Sequence, residues 1–187
     1  MPGWDGAQSP LLYDGLVILA VGGKQHGVVA FERATGTQVW ASSACGALAH
    51  SSPGLARLGG VDQVVLACAE GLVGIAARNG ADLWRWRDWH PKMAIPSPTL
   101  VGDDCLFIVE GYGGGCGMCR ITSSNGTFRA ETVFTNTACN GQIPTAVYRD
   151  GYIYSSGNSN NKNDGLMCLD LRGNVKWKTG VKPKFER

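Results

Sequence analysis

The chain has 187 residues, 44% of them hydrophobic and 17% charged, with a formal net charge of +2. This excludes a disordered chain, and a charge so near balance gives no bulk attraction for nucleic acid or an anionic membrane surface. No run of 18 apolar residues occurs, so no transmembrane helix is predicted.

The opening residues, Met1-Pro2-Gly3-Trp4-Asp5-Gly6, lack the basic-then-apolar order of a secretion signal. The first element is a hairpin: Ser9–Tyr13 and Leu16–Val21 alternate apolar residues on either side of Asp14-Gly15, a favoured two-residue turn. A polar loop, Gly22–His26, leads into Gly27–Glu32, and Arg33-Ala34-Thr35-Gly36 turns the chain into Thr37–Ser42. These are four short strands in one unit. Second and third units follow, with tight turns at Gly59-Gly60 and Gly102-Asp103. A fourth unit restates the plan through Thr145–Arg149, Asp150-Gly151, Tyr152–Ser156, Leu166–Leu171, Arg172-Gly173 and Asn174–Lys178. The units span residues 9–42, 52–86, 97–134 and 143–178. The 27 glycines fall largely between the short apolar runs, as an all-β chain of many turns requires.

Two interleaved series fix the period. Ser9-Pro10, Ser52-Pro53, Ser97-Pro98 and Ile143-Pro144 open the units at steps of 43, 45 and 46 residues. Trp40, Trp84 and Trp177 each follow a glycine by four places (Gly36, Gly80 and Gly173), and Phe134 holds the aromatic place of the third unit. Ala44-Cys45-Gly46 and Ala138-Cys139-Asn140-Gly141 lie at equal distances beyond Trp40 and Phe134. Four short antiparallel strands repeating at about 45 residues describe the blade of a β-propeller.

The segment Ala30-Phe31-Glu32-Arg33-Ala34-Thr35-Gly36-Thr37-Gln38-Val39-Trp40 resembles the tryptophan-docking motif of the PQQ-like, or quinoprotein-repeat, β-propellers. Gly74–Trp84 and Cys168–Trp177 look like weaker copies, and Ile121–Phe134 departs most, with extra residues and a terminal Phe. The resemblance covers residues 9 to 180. It implies an indole packed between neighbouring blades with its N–H on a backbone partner. Propellers of this family usually close with seven or eight blades, so the four present are read as part of a larger ring. Further blades, or a second copy of the chain, are expected to complete it.

Strand order puts the longer loops of all the units on one face, where His50, Trp86, Trp89, His90, Tyr112, Asn140 and Gln142 are the candidate residues for a ligand or partner. Gly36, Trp40, Gly80, Trp84, Phe134, Gly173 and Trp177 are assigned to blade docking.

The remaining motifs carry little chemistry. Seven cysteines make no disulfide framework by count alone, and Cys68, Cys105 and Cys168 sit in apolar strand runs as small buried hydrophobes. Cys116-x-x-Cys119 has the spacing of half a zinc site, but strand alternation sends its sulfurs to opposite faces. Cys45 and Cys139, at equivalent loop positions two blades apart, are too far apart to bond. The Gly111–Gly115 run lacks the order of a phosphate loop, and the Asn158–Asp164 run has a single charge to offer calcium. Asn125-Gly126-Thr127 fits a glycosylation sequon, and His26, His50 and His90 show no spacing that builds a catalytic set.

The expected function is a non-catalytic scaffold or binding module for a protein, peptide or small ligand, similar to the propeller lipoprotein of outer-membrane β-barrel assembly. No cofactor is expected. The alternative is a fragment of a quinoprotein dehydrogenase, which would need PQQ, a calcium ion held by Glu and Asn, and an Asp base. By analogy with the family, the compartment is the bacterial periplasm or cell envelope.

Overall fold

The computed structural model of the chain describes residues 8–23, 27–43, 45 and 50–181. The polar loop ending at His26 falls partly, and the opening residues Met1–Gly6 wholly, outside them. The described residues form sixteen strands and no helix. Each consecutive four build one antiparallel sheet in chain order.

Blade 1 is β1 (Leu11–Tyr13), β2 (Leu16–Ala20), β3 (Val28–Glu32) and β4 (Gln38–Ser42). Blade 2 is β5 (Gly54–Leu58), β6 (Val61–Cys68), β7 (Gly71–Ala76) and β8 (Asp82–Trp86). Blade 3 is β9 (Thr99–Val101), β10 (Cys105–Glu110), β11 (Gly115–Ser124) and β12 (Thr127–Asn136). Blade 4 is β13 (Val147–Arg149), β14 (Tyr152–Asn158), β15 (Asn163–Asp170) and β16 (Val175–Lys178). The four sheets are a partial propeller. Its innermost hairpins turn where both central residues take positive φ, 40° and 82° at Asp14-Gly15 and 49° and 84° at Asp150-Gly151. That twist matches the flanking strands, and Asp-Gly is among the few pairs that supply it cheaply.

Strand register aligns one row of side chains across each blade. The rows are Leu11, Ile18, Ala30, Trp40; Gly54, Val65, Gly74, Trp84; Thr99, Phe107, Met118, Phe134; and Val147, Tyr154, Cys168, Trp177. Directly paired residues project to the same side of a sheet, so each row marks one face, the front, which turns toward the next blade. The first row packs on Val64, Leu66, Val73 and Ile75 of blade 2. The second meets Leu106, Ile108 and Ile121 of blade 3. The third faces Ile153, Met167 and Leu169 of blade 4. The core is therefore three seams between sheets, and a buried aromatic at such a seam stabilises by about 4 kcal/mol as an upper figure.

At two seams the aromatic ring of one blade lies on the turn glycine of the next, Trp40 on Gly80 and Phe134 on Gly173. Between blades 2 and 3 the longer β11–β12 hairpin carries Gly126 beyond any such contact, and Phe128 and Ile121 join the cluster around Trp84 instead. The extra residues of the third unit thus lengthen a hairpin. Nearer the start of each blade, Ser9 N–H donates to Ser52 Oγ (2.9 Å), Ser97 Oγ–H to the Ser52 carbonyl (3.0 Å) and Ser97 N–H to Thr145 Oγ1 (3.1 Å). The Ser-Pro steps of the repeat therefore link blade to blade.

Two expectations need correction. The indole of Trp84 donates to a side chain, Gln63 Oε1 at 2.6 Å, and Trp40 Nε1 is buried with no acceptor among the described residues, so backbone pairing is not the rule. Cys68 is no free hydrophobe. It forms a disulfide with Cys45 (Cα–Cα 5.7 Å), which ties the link after blade 1 to the end of β6 in blade 2. The apolar run around Cys68 concealed this, because strand pattern reports burial and not which sulfur lies opposite. Cys116 and Cys119 do point to opposite faces, Cys116 into the seam of blades 3 and 4 and Cys119 into that of blades 2 and 3.

Candidate functional site on the open front of the fourth blade

The loop face gathers only some of its expected residues. Gln142 Nε2–H donates to Tyr112 Oη at 2.8 Å and reaches Asn160 Oδ1 at 3.4 Å, joining the β10–β11 turn to the link after blade 3 and to the β14–β15 turn. Asn140 is buried, with its amide on the Thr137 carbonyl at 2.8 Å, so it holds its own turn. The backbone N–H of His50 donates to the Ala94 carbonyl at 2.9 Å, and His90 is exposed. Trp86 and Trp89 are each only 2% exposed and belong to the seam of blades 2 and 3. Trp86 Nε1–H donates to Thr132 Oγ1 at 2.8 Å, across that seam. Both tryptophans therefore leave the candidate surface and become core residues.

Glu110, fully buried at the end of β10, is a loop-face residue that the sequence reading missed. Its carboxylate accepts from the N–H of Met93 at 3.3 Å and from the N–H of Gly114. The available signal was an acid closing an apolar strand beside a glycine-rich turn. Its oxygens are taken by backbone donors, which makes it a loop clamp.

The front of blade 4 is different. Its row repeats the register of the three rows that are buried, yet Val147 is 59% and Trp177 45% exposed, where Trp40 is 7% and Trp84 4%. Tyr154 and Trp177 pack with ring centroids 6.1 Å apart, a tilted pair across the open sheet. Beside them lies a cavity of about 270 Å³ bounded by Pro144, Val147, Tyr154, Ser156 and Leu166. The lining is mainly apolar with a few hydroxyl-bearing residues, suited to apolar side chains and a few hydrogen bonds. Trp177 was already assigned to docking. Val147, Tyr154 and Leu166 carried no such signal until register put them beside it.

Among the described residues no three His, Cys, Asp or Glu side chains gather as metal ligands. In the Asn158–Asp164 run, Asn158 Oδ1 accepts from Gly165 N–H at 2.7 Å, and Asp164 pairs with Lys178 at 2.8 Å, so these oxygens are engaged within blade 4. Asn125 stands exposed at the tip of the β11–β12 hairpin.

Residues 4–179 match the family model described as outer membrane protein assembly factor BamB. A search of curated proteins finds no match.

Proposed function

Since the chain belongs to the PQQ-like propeller family of the outer membrane protein assembly factor BamB, we propose that it is a non-catalytic scaffold that holds a protein partner on the open front of blade 4. One observation carries this reading. The row Val147, Tyr154, Cys168, Trp177 has the register of three rows that each bury against a following sheet, and it has no sheet of the described residues over it. Exposed apolar area of this kind marks an interaction surface.

The partner that fits is a β-sheet presenting an apolar back, as blades 2, 3 and 4 present theirs. The back of blade 1, with Leu12 and Val39 exposed beside Val17 and Phe31, is such a surface within this chain. A further blade or a second copy thus satisfies the same geometry. The Cys45–Cys68 bond favours an oxidising compartment, in keeping with the bacterial envelope.

A photo-reactive residue at Val147, introduced into the protein in its native cell, tests the proposal. A defined protein or propeller blade should crosslink there, and its affinity for the purified chain should fall at least about tenfold for Trp177→Ala, as for a central interface aromatic. A partner bound equally well by Trp177→Ala and Tyr154→Ala chains would sink the reading.

A further inference from the structure

The seam between blades 1 and 2 has two halves, and both recur, unjoined, elsewhere in the chain. Its front half is the row Leu11, Ile18, Ala30, Trp40. Its back half is two rows on blade 2, Leu55, Val64, Ile75 and Leu66, Val73, Arg85. Val64, Leu66 and Ile75 have no exposed surface there.

Blade 1 carries the same back half. Leu12, Val17 and Phe31 align across β1, β2 and β3, and Leu19, Val29 and Ala41 align across β2, β3 and β4. Counted from the docking rows, Val17, Leu19 and Phe31 stand where blade 2 has Val64, Leu66 and Ile75. They are only half-buried, with no sheet of the described residues over them.

Blade 4 carries the same front half. Val147, Tyr154, Cys168 and Trp177 match Leu11, Ile18, Ala30 and Trp40 place for place. This row, and the two rows on the back of blade 1, contain no Asp, Glu, Lys or Arg. Joining them buries no unpaired ion.

The aromatic ring adds a separate match. Trp40 lies on Gly80 and Phe134 on Gly173, turn glycines of the following blade at φ 74° and 82°. Gly36 holds the same turn of blade 1 at φ 72°, and a Cβ there meets nothing within 4 Å. Trp177 is a docking ring left 45% exposed, and Gly36 is a docking seat with no ring on it. Both halves are open in one molecule, so the chain does not close on itself.

We propose that a second copy of this chain covers the front of blade 4, the back of its blade 1 seated there with its Gly36 beneath Trp177. This rests on the reading of that front as a protein-binding surface and names the partner. The contact is head to tail, because the two patches that meet are different. Association follows mass action, so dilute protein is single chains and concentrated protein is joined.

Sedimentation velocity of the purified full chain, from micromolar to millimolar concentration, is the first measurement. The mass should rise from one chain to two or more. Gly36→Asn fills the seat with a side chain that tolerates positive φ. Val147→Arg places a charge on the front at a position already 59% exposed. Both chains should keep the β-sheet circular dichroism signal. Each variant alone should need at least about tenfold more protein to associate than the unaltered chain. An equimolar mixture should pair where neither does alone, because the intact front of the Gly36→Asn chain fits the intact back of the Val147→Arg chain.

Unaltered protein that stays single throughout would overturn the proposal, and that readout needs no variant to fold. So would a Gly36→Asn chain that associates as readily as the unaltered one, the mark of a front-to-front pair. Single chains in solution, with Val147 crosslinking to a different protein in the cell, would remove the second copy and leave the scaffold role standing. Single chains with no crosslink at all would remove both.

Discussion

The ring of Trp40 rests on Gly80 of the following blade, where a Cβ would stand 2.6 Å from ring carbon Cε3. The glycine is also held at φ 74°, so it is required twice, once by its backbone and once by its neighbour.

Gly36 separates these two requirements. It has nearly the same conformation, φ 72°, at the equivalent turn of blade 1, but a Cβ there meets nothing within 4 Å. Gly36→Ala should therefore cost only the backbone penalty, about 1 kcal/mol. Gly80→Ala should cost about 1–3 kcal/mol more, because the seam must shift to admit the methyl group. Urea unfolding of both chains decides the matter, and equal losses would mean that the ring-on-glycine contact does not set the seam.

The four docking aromatics should likewise divide by place and not by type. Trp84 is buried, and its N–H is held by Gln63, which itself donates to the Leu58 carbonyl at 3.1 Å. Trp84→Ala should lose about 3–5 kcal/mol of stability. Trp177→Ala in the isolated chain should lose under about 1 kcal/mol, as expected for an aromatic with much of its surface still in water. If Trp177→Ala proved as costly as Trp84→Ala, the front of blade 4 would not be open in solution.

The fold was legible because its signals are local and repeated. Asp14-Gly15 and Asp150-Gly151 announce hairpins by their own chemistry, and the tryptophan spacing carries the blade register without any tertiary knowledge. The site was less legible. Trp86 and Trp89 lie in a segment that reads as a loop between blades, yet cross-blade partners such as Thr132 turn Trp86 inward. The Cys45–Cys68 bond depends on how a link folds back over a sheet edge, which no strand period encodes. Val147 and Tyr154 acquire meaning only because no sheet of the described residues lies against their row, a property of the assembled blades and not of any residue.

The Cys45–Cys68 bond closes a loop of sequence separation 23, and loop-closure entropy assigns such a crosslink about 3 kcal/mol. Reduction, or the paired change Cys45→Ser and Cys68→Ser, should lower stability by about that amount without loss of the β-sheet circular dichroism signal. Urea curves with and without dithiothreitol provide the measurement. No shift on reduction would mean that the bond adds nothing beyond blade packing.

Alkaline pH should weaken the fold through its buried thiols. Burial, helped by the neighbouring Asp104 carboxylate, pushes the Cys105 thiol up to about 11 from an ordinary value of 9.0. Burial pushes Cys119 upward as well. Between about pH 9 and about pH 11 the unfolded chain therefore releases these protons while the folded chain keeps them. The unfolded state binds fewer protons, so stability is complete below about pH 9 and declines as pH rises through that window. Cys119→Ala should flatten the decline more than Cys105→Ala, since Cys119 is the more deeply enclosed. Urea midpoints measured on the three chains across the window provide the check, and identical slopes would show that the alkaline loss originates in other groups.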